Sequence, residues 1–252
     1  MLEINKIYNI DCFEMLRQIE KKSVNLFLTD MPYGTTKNDW DKIPDLELLW
    51  EEFKRIGKEN CAFVFTTFQP FTTDLINSNR DWFKYEWVWD KINKVSGHLN
   101  AKKQPLRMTE NIVVFYAKQP VYNPQMVPGE PYIAVSSGSK SSNYNDQLDN
   151  VKTVNIGLYY PRNLIHIKGD ERGTIGRLHP TQKPVALMEY LIKTYSNAGD
   201  LVCDPFMGIG TTGIACLRTG RNYIGSENKR EYCDIFHQRM CDELKDKARR
   251  FF

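Results

Sequence analysis

A carboxylate and an aromatic residue follow a hydrophobic run near the start of the chain. Residues 24–34 read VNLFLTDMPYG, and the proline and glycine at the end of this stretch argue against a continuing strand. Asp30 offers carboxylate oxygens and Met31 a main-chain carbonyl, which makes a pair of acceptors. Pro32 fixes the turn and Tyr33 offers an aromatic face. The exocyclic amine of a nucleobase, with two N–H donors on a flat ring, matches this set, and an ordinary strand exit is the alternative.

A glycine-rich loop near the C-terminus has the spacing of a nucleotide-type cofactor site. The motif GxGxxG occurs at 208–213 as GIGTTG, between the hydrophobic segment LVCD and an apolar pattern of helical spacing. The next predicted strand, NYIGSE, ends in an acid. Glycines let the backbone approach a ligand, and an acid at the second strand end can hold ribose hydroxyls. The alternative is a turn with purely structural duties. The predicted cofactor contacts are Asp204, Pro205, Phe206, Gly208, Gly210, Thr211, Thr212 and Glu227.

The acid at the entrance of this loop distinguishes between two cofactors. A dinucleotide and S-adenosylmethionine both fit the glycine pattern. Asp204 would repel a pyrophosphate, whereas S-adenosylmethionine carries no phosphate and presents a sulfonium and an ammonium that suit a carboxylate. The residues therefore favour S-adenosylmethionine. Asp11 and Cys12, predicted to end the first strand, are further candidates for the adenosyl pocket.

A basic segment lies in the middle of the chain. Residues 91–107, KINKVSGHLNAKKQPLR, contain five Lys or Arg and no acid, and Trp87 and Trp89 lie just before them. Charge of one sign is typical of a loop that follows a nucleic-acid backbone, and a solvated loop is the alternative. The predicted nucleic-acid contacts are Lys91, Lys94, His98, Lys102, Lys103 and Arg107, with Arg162 in a second, weaker basic group.

The elements that must position these residues alternate between strands and helices. KIYNI, VNLFLTD and NCAFVFTT predict strands, DLELLWEEFKRIG predicts a helix, and YEWVWDK and NIVVFYA predict two more strands. PVALMEYLIKTYSNAG predicts an amphipathic helix that stops at Gly199. Strand, glycine loop, helix, strand and helix follow it. We therefore expect an α/β fold with one doubly wound, Rossmann-like sheet.

The composition limits the remaining possibilities. Residues 119–160 are rich in Pro, Gly, Ser and Asn, which predicts an irregular insertion with little core of its own. The net charge of the 252-residue chain is only +3, and no apolar run approaches the length of a membrane span. We expect a soluble, cytoplasmic protein without a membrane partner. Six scattered cysteines lack metal-ligand spacing, so no metal is expected.

Three motifs resemble one enzyme family. DMPY at 30–33 resembles the (D/N/S)PP(Y/F) motif of amino-group DNA methyltransferases, and DPFMGIGTT resembles their S-adenosylmethionine loop. HPTQKP at 179–184 resembles the segment that precedes that loop. The order of catalytic motif, variable region and cofactor loop resembles the β class of this family. The likeness covers residues 4–116 and 161–240.

The resemblance implies a function for each part of the chain. Residues 1–118 would form the catalytic half, 119–178 an insertion that recognises the target sequence, and 179–252 the cofactor-binding half. The substrate would be double-stranded DNA, with adenine favoured over cytosine because the motif begins with Asp. The target base would be extruded and stacked on Tyr33. His179, Thr181 and Lys183 would join the cofactor site, with a structural role at a helix start as the alternative, and a homodimer is possible by analogy.

One residue departs from the family motif. Met31 stands where the family has its first proline, and since the position is assigned a main-chain contact, we expect only its backbone to matter. Replacement of Met31 by proline should then change activity little. Two other classes stay open at this point. They are a nicotinamide-dependent oxidoreductase on the same fold and a non-catalytic nucleic-acid binder.

Overall fold

The computed structural model describes residues 2–35, 38, 41–92, 94–136, 151–169 and 182–249. The strands are β1 (Lys6–Tyr8), β2 (Val24–Thr29), β3 (Gly57–Thr67), β4 (Phe83–Asp90), β5 (Thr109–Phe115), β6 (Val127–Pro128), β7 (Tyr132–Ser136), β8 (Val151–Asn155), β9 (Leu158–Tyr159), β10 (Leu164–His166), β11 (Leu201–Asp204) and β12 (Asn222–Ser226). The helices are α1 (Cys12–Gln18), α2 (Leu46–Ile56), α3 (Phe71–Ser78), α4 (Val185–Tyr195), α5 (Thr211–Thr219) and α6 (Arg230–Arg249).

Eight of these strands form one mixed sheet. Their order is β1-β12-β11-β2-β3-β5-β4-β10. β5 runs antiparallel to both of its neighbours, and every other pair is parallel. The carboxyl ends of the parallel strands therefore lie along one edge of the sheet, together with the amino end of β5. Any residue at these strand ends can contribute to the same site.

The chain connections diverge between β2 and β11. β2 leads to β3 on one side, whereas β11 leads to β12 on the other. Open α/β sheets bind ligands at such a switch point, outside the carboxyl ends of the strands. Asp30 directly follows β2 and Asp204 ends β11. The fold thus brings the two predicted motifs, far apart in sequence, to the same crevice.

Helices cover both faces of the sheet. On one face, Leu191 of α4, Ile214 of α5 and Phe236 of α6 belong to a buried cluster. On the other face, Met15 of α1 and Phe53 of α2 belong to a second cluster. Strands buried on both sides explain the continuous hydrophobic runs in the sequence. The prediction of a doubly wound α/β sheet is confirmed.

Two predicted boundaries need correction. Helix α4 ends at Tyr195 rather than at Gly199, because Ser196 is extended and its hydroxyl donates to the Ile192 carbonyl at 2.6 Å. Gly199, with φ of +83°, lies instead in the turn before β11. The first strand ends at Tyr8, and Asp11 is the N-cap of a helix that the sequence did not predict, α1.

Residues Pro124–Arg162 form a compact unit separate from the one that holds the large sheet. Within it, β6 pairs with β9 and β7 pairs with β8, both antiparallel. Asn155 shapes the turn before β9, since its side-chain oxygen accepts from the amides of Gly157 and Leu158. Ile133 and Val154 are largely exposed, as expected of a segment with little core. Residues 137–150 lie outside the described part of the chain.

The described part of the chain contains neither a membrane-spanning helix nor a cluster of metal ligands. Among the described residues, no helix is both long enough and apolar enough to cross a membrane. The same residues contain no group of His, Cys, Asp and Glu arranged to hold a metal ion.

Candidate active site

A cleft of about 1240 Å³ opens at the carboxyl edge of the sheet. Three segments predicted separately from the sequence line it: 30–33, the loop 204–212 without Gly210, and part of the basic segment. Pockets for small molecules commonly have volumes of about 300–1,000 Å³. The cleft therefore has room for a nucleoside cofactor together with part of a second substrate.

The Asp30 carboxylate is held by three donors. Its Oδ1 accepts from Thr66 Oγ1 at 2.6 Å and from the Tyr33 hydroxyl, and its Oδ2 accepts from Lys183 Nζ at 2.8 Å. Thr66 comes from β3, the strand beside β2. The carboxylate is thus fixed in direction, which a group that positions a reacting amine requires.

Tyr33 is half-buried and bonded through its hydroxyl. Its ring stacks on Phe71 with centroids 5.4 Å apart and meets the edge of Phe68 at 4.9 Å. Burial and the neighbouring Asp30 carboxylate raise the pKa of the phenol well above its ordinary value, so it stays protonated and donates. The ring was predicted as a stacking surface for the base. In the structure it also fixes Asp30.

The Met31 side chain contradicts the expectation that only its backbone matters. It is 2% exposed and belongs to the buried cluster formed with helices α1 and α2. A proline ring would leave part of that volume empty. The Met31 side chain is therefore part of the core, and the main-chain contact at this position stays a prediction.

Asp204 stabilises the glycine loop through hydrogen bonds to its buried carboxylate. The carboxylate is buried and accepts from Thr29 Oγ1 at 2.6 Å, Thr212 Oγ1 at 2.6 Å and the Phe206 amide at 3.1 Å. Burial raises its pKa to about 6, although the three hydrogen bonds oppose that shift. A direct contact with a cationic cofactor was the prediction. The geometry shows that its oxygens already accept from Thr29 of β2 and from Phe206 and Thr212 of the loop segment.

The glycines of the loop have two different roles. Both Gly208 and Gly210 have positive φ, of 54° and 79°. A Cβ at Gly210 would lie 1.8 Å from the Phe236 ring, whereas a Cβ at Gly208 would have no neighbour within 4 Å. Arg239 Nη1 donates to the Ile209 carbonyl at 2.6 Å. The loop therefore packs against the Phe236 ring at Gly210, whereas Gly208 faces open space in the cleft.

Glu227 follows β12 and lines the same cleft. Its Oε1 accepts from the Lys229 amide at 2.8 Å, and burial raises its pKa above the ordinary value. This is the position from which an acid can reach ribose hydroxyls. Asn228, Lys229 and Tyr232 line the cleft beside it and were not predicted.

The other predicted cofactor residues divide into three groups. Cys12, Pro205, Phe206, Thr211 and Thr212 line the cleft. Asp11 does not line it, because its carboxylate caps helix α1 through the Phe13 amide at 2.9 Å. His179 and Thr181 lie outside the described residues.

Lys183 lines the cleft but contacts carboxylates that the sequence did not link to it. Its Nζ lies 2.8 Å from Asp30 and 3.3 Å from Oε2 of Glu110. Glu110 lies at the amino end of β5 and was not predicted as a site residue. Because β5 is antiparallel to its neighbours, its amino end, not its carboxyl end, lies at the edge of the sheet that holds the cleft. The only signal in the sequence was an acid preceding a hydrophobic run.

The basic segment contributes to the cleft in part. Lys94, His98 and Arg107 line it, and the Arg107 guanidinium lies 4.2 Å over the Phe68 ring. Lys102 and Lys103 are exposed, and Arg162 is an exposed residue of the separate compact unit. These positions are compatible with phosphate contacts, which stay a prediction.

Lys91 was predicted to contact DNA; it also lines the cleft, but its ammonium is paired with a carboxylate. Its side chain is 12% exposed and pairs with Oε1 of Glu110. The ammonium also lies 5.4 Å from the Trp89 ring centroid. A phosphate would have to replace the Glu110 carboxylate as the partner of this largely buried cation, which disfavours a DNA contact at Lys91.

Fold and site together define a Rossmann-like transferase in which a carboxylate motif and a glycine-rich cofactor loop share one crevice. Residues 24–238 match the family described as DNA methylase, and the chain belongs to this family. This confirms the predicted class, an S-adenosylmethionine-dependent DNA methyltransferase. It does not support the oxidoreductase alternative.

Relatives cover nearly the whole chain. It is 45% identical to the type II methyltransferase M2.DpnII of Streptococcus pneumoniae, with 91% of this chain and 87% of the relative aligned. It is 29% identical to the DNA adenine methyltransferase YhdJ of Escherichia coli strain K12, over 94% and 83% of the two chains. The crystal structure of the M1.HpyAVI complex with SAM is similar, with a TM-score of 0.64 and 26% identity over 93% of this chain and 98% of that one.

Proposed function

We propose that this DNA methyltransferase transfers the methyl group of S-adenosylmethionine to the exocyclic amine of an extruded adenine in double-stranded DNA. The observation that carries the proposal is the position of Asp30, which follows β2 in the same cleft as the glycine loop after β11. The acceptor for an amine and the loop for a cofactor thus meet at the switch point of the sheet.

Asp30 and the Met31 carbonyl would act on the amine itself. The adenine amine is a poor nucleophile because its lone pair is delocalised into the ring. Hydrogen bonds from its two N–H groups to these two acceptors localise the lone pair and orient it for in-line transfer. The surplus proton leaves afterwards to Asp30 or to water.

The cofactor-facing residues fit a nucleoside that carries no phosphate. Bound S-adenosylmethionine supplies an electrophilic methyl group on a sulfonium. Gly208 leaves open space at the loop surface, and Glu227 presents a carboxylate after β12 where ribose hydroxyls are held in this fold. Asp204, with its three internal donors, keeps the loop in shape for that contact.

Two features favour adenine over cytosine as the target. The motif begins with Asp30, which resembles adenine-modifying members of the family. A relative that aligns with 94% of this chain is named a DNA adenine methyltransferase. Methylation of the cytosine exocyclic amine is the alternative, since its two N–H groups could meet the same acceptors.

The test is incubation of the protein with labelled S-adenosylmethionine and genomic DNA, followed by nucleoside analysis and methylome sequencing. We expect labelled N6-methyladenine in one sequence context. Asp30→Ala should keep cofactor binding and lose methyl transfer. Labelled N4-methylcytosine would establish the alternative, and retained transfer by Asp30→Ala would disprove the role of this carboxylate.

We also propose, by analogy with the β class, that the protein forms a homodimer. Sedimentation of the full chain at several concentrations tests this. A single species with the mass of one chain at all concentrations would reject it.

A further inference from the structure

Lys183 lies buried between two carboxylates at the catalytic end of the cleft. Its Nζ is 2.8 Å from Oδ2 of Asp30 and 3.3 Å from Oε2 of Glu110, and its side chain is 7% exposed. Burial alone would lower the pKa of Lys183, but the two carboxylates raise it well above its ordinary value. A permanently charged ammonium therefore has two anionic positions within reach.

One oxygen of Glu110 is paired and the other is not hydrogen-bonded. Oε1 pairs with Lys91. Oε2 is buried, and Lys183 Nζ lies 3.3 Å from it as an ion-pair partner, but no hydrogen bond reaches it from the residues that the structure describes. A buried acceptor without a hydrogen bond is destabilised relative to one that has a donor. A short movement of Lys183 away from Asp30 would give this oxygen its donor.

Lys183 now occupies the oxygen of Asp30 that a target amine needs. Oδ1 already accepts from Tyr33 and Thr66, so Oδ2 is the oxygen left for an N–H of the base. The amine nitrogen gains positive charge as it receives the methyl group. An ammonium on the same carboxylate oxygen opposes that charge.

We propose that Lys183 is a positioning residue whose ion pair moves from Asp30 to Glu110 when the target base enters the cleft. This rests on the proposed function. Before the base arrives, Lys183 keeps the partly buried carboxylate of Asp30 neutralised and in place. Afterwards Oδ2 is free and Oε2 of Glu110 is satisfied. The total charge of the cluster does not change, and Asp30 exchanges the ammonium for an N–H donor of the base.

Glu110→Gln tests the receiving carboxylate, because it keeps the shape and removes the charge. We expect kcat to fall by about tenfold or more, which corresponds to about 1.4 kcal/mol in the barrier. Binding of S-adenosylmethionine should change less than about twofold. Glu86→Gln is the matched control. The Glu86 carboxylate, on β4, accepts a hydrogen bond from the Asn111 side chain at 3.0 Å and does not line the cleft. Equal rates for wild type and Glu110→Gln would overturn the proposal.

A second substitution separates this role from simple structural support. Adding Lys183→Met to Glu110→Gln removes the ammonium that can no longer leave Asp30, so kcat should recover several-fold over Glu110→Gln alone. If the cluster served only stability, the double variant would be worse than the single one. Glu110→Asp keeps the charge and should recover part of the rate.

A structure of the full chain with duplex DNA and S-adenosylhomocysteine gives a direct answer, whatever the stability of the variants. Lys183 Nζ should lie closer to Glu110 Oε2 than to Asp30 Oδ2. An unchanged pair with Asp30 beside a bound base would overturn the proposal. Failure of the wild type to methylate DNA would instead reject the proposed function, so the two failures are distinguishable.

Discussion

Thr29 Oγ1 donates a hydrogen bond of 2.6 Å to Oδ1 of Asp204, and so joins the last residue of β2 to the last residue of β11. Both side chains are buried. Thr29 directly precedes Asp30, and Asp204 directly precedes the glycine loop. This hydrogen bond thus extends the pairing of β2 with β11 to the strand ends, where the catalytic motif and the cofactor loop begin.

Thr29→Val removes this donor without a large change in shape. We expect the free energy of unfolding to fall by about 1–3 kcal/mol, because a buried carboxylate oxygen loses a partner. Affinity for S-adenosylmethionine should fall as well, since the loop is less well held. Urea unfolding and calorimetric titration measure the two effects. Thr73→Val, at an exposed position, is the control and should leave both unchanged.

The stability of the protein should depend on the ionisation of Asp204. Burial raises its pKa from 3.8 to about 6. Between these values the folded state binds more protons than the unfolded state, so stability from this group increases as pH falls through 6 towards 4. A shift of about two pKa units corresponds to about 3 kcal/mol.

Comparison with Asp204→Asn isolates this effect from other titrating groups. The unfolding free energies of wild type and Asp204→Asn are measured in urea at pH 7 and pH 5. The wild type should gain stability relative to Asp204→Asn at the lower pH. A difference that is constant with pH would show that Asp204 is not perturbed in the folded protein.

Met31→Pro should destabilise the protein, contrary to what the motif alone suggests. The Met31 side chain is 2% exposed, and loss of buried volume there should cost about 2 kcal/mol. Met31→Leu conserves the volume and should cost less than about 1.5 kcal/mol. Thermal unfolding of the two variants distinguishes a packing role from a purely main-chain role. If only the main chain mattered, both variants would unfold at the same temperature as the wild type.

Lys91 and Lys102 should differ in how they affect DNA binding. Lys102 is exposed, and if it contacts a phosphate, Lys102→Ala should reduce the slope of log K against log salt by about one. Lys91 is paired with Glu110, so Lys91→Met should leave the slope unchanged. Fluorescence anisotropy with duplex DNA over a range of salt concentrations measures both. Equal slope changes would show that Lys91 reaches the DNA.

The contrast between these lysines shows where the sequence was informative. Local patterns predicted the elements that bear the site, because strand hydrophobicity and glycine spacing are properties of neighbouring residues. They could not predict that Lys91 and Lys183 share Glu110, since that depends on β5 running antiparallel between two parallel strands. Asp11 was misplaced for a related reason. A polar residue after a short strand can equally be a helix cap, and here it caps α1.

The two loop glycines should respond differently to alanine. Both have positive φ, which costs a non-glycine residue about 1–2 kcal/mol. At Gly210 the added Cβ would also lie 1.8 Å from Phe236, and overpacking adds about 1–3 kcal/mol. Gly210→Ala should therefore destabilise the protein more than Gly208→Ala. At Gly208 the added methyl faces the cleft, so Gly208→Ala should retain most of the stability and lose affinity for S-adenosylmethionine. Unfolding in urea and calorimetric titration of both variants test this, and equal losses of stability would contradict the assignment of Gly208 to the cofactor surface.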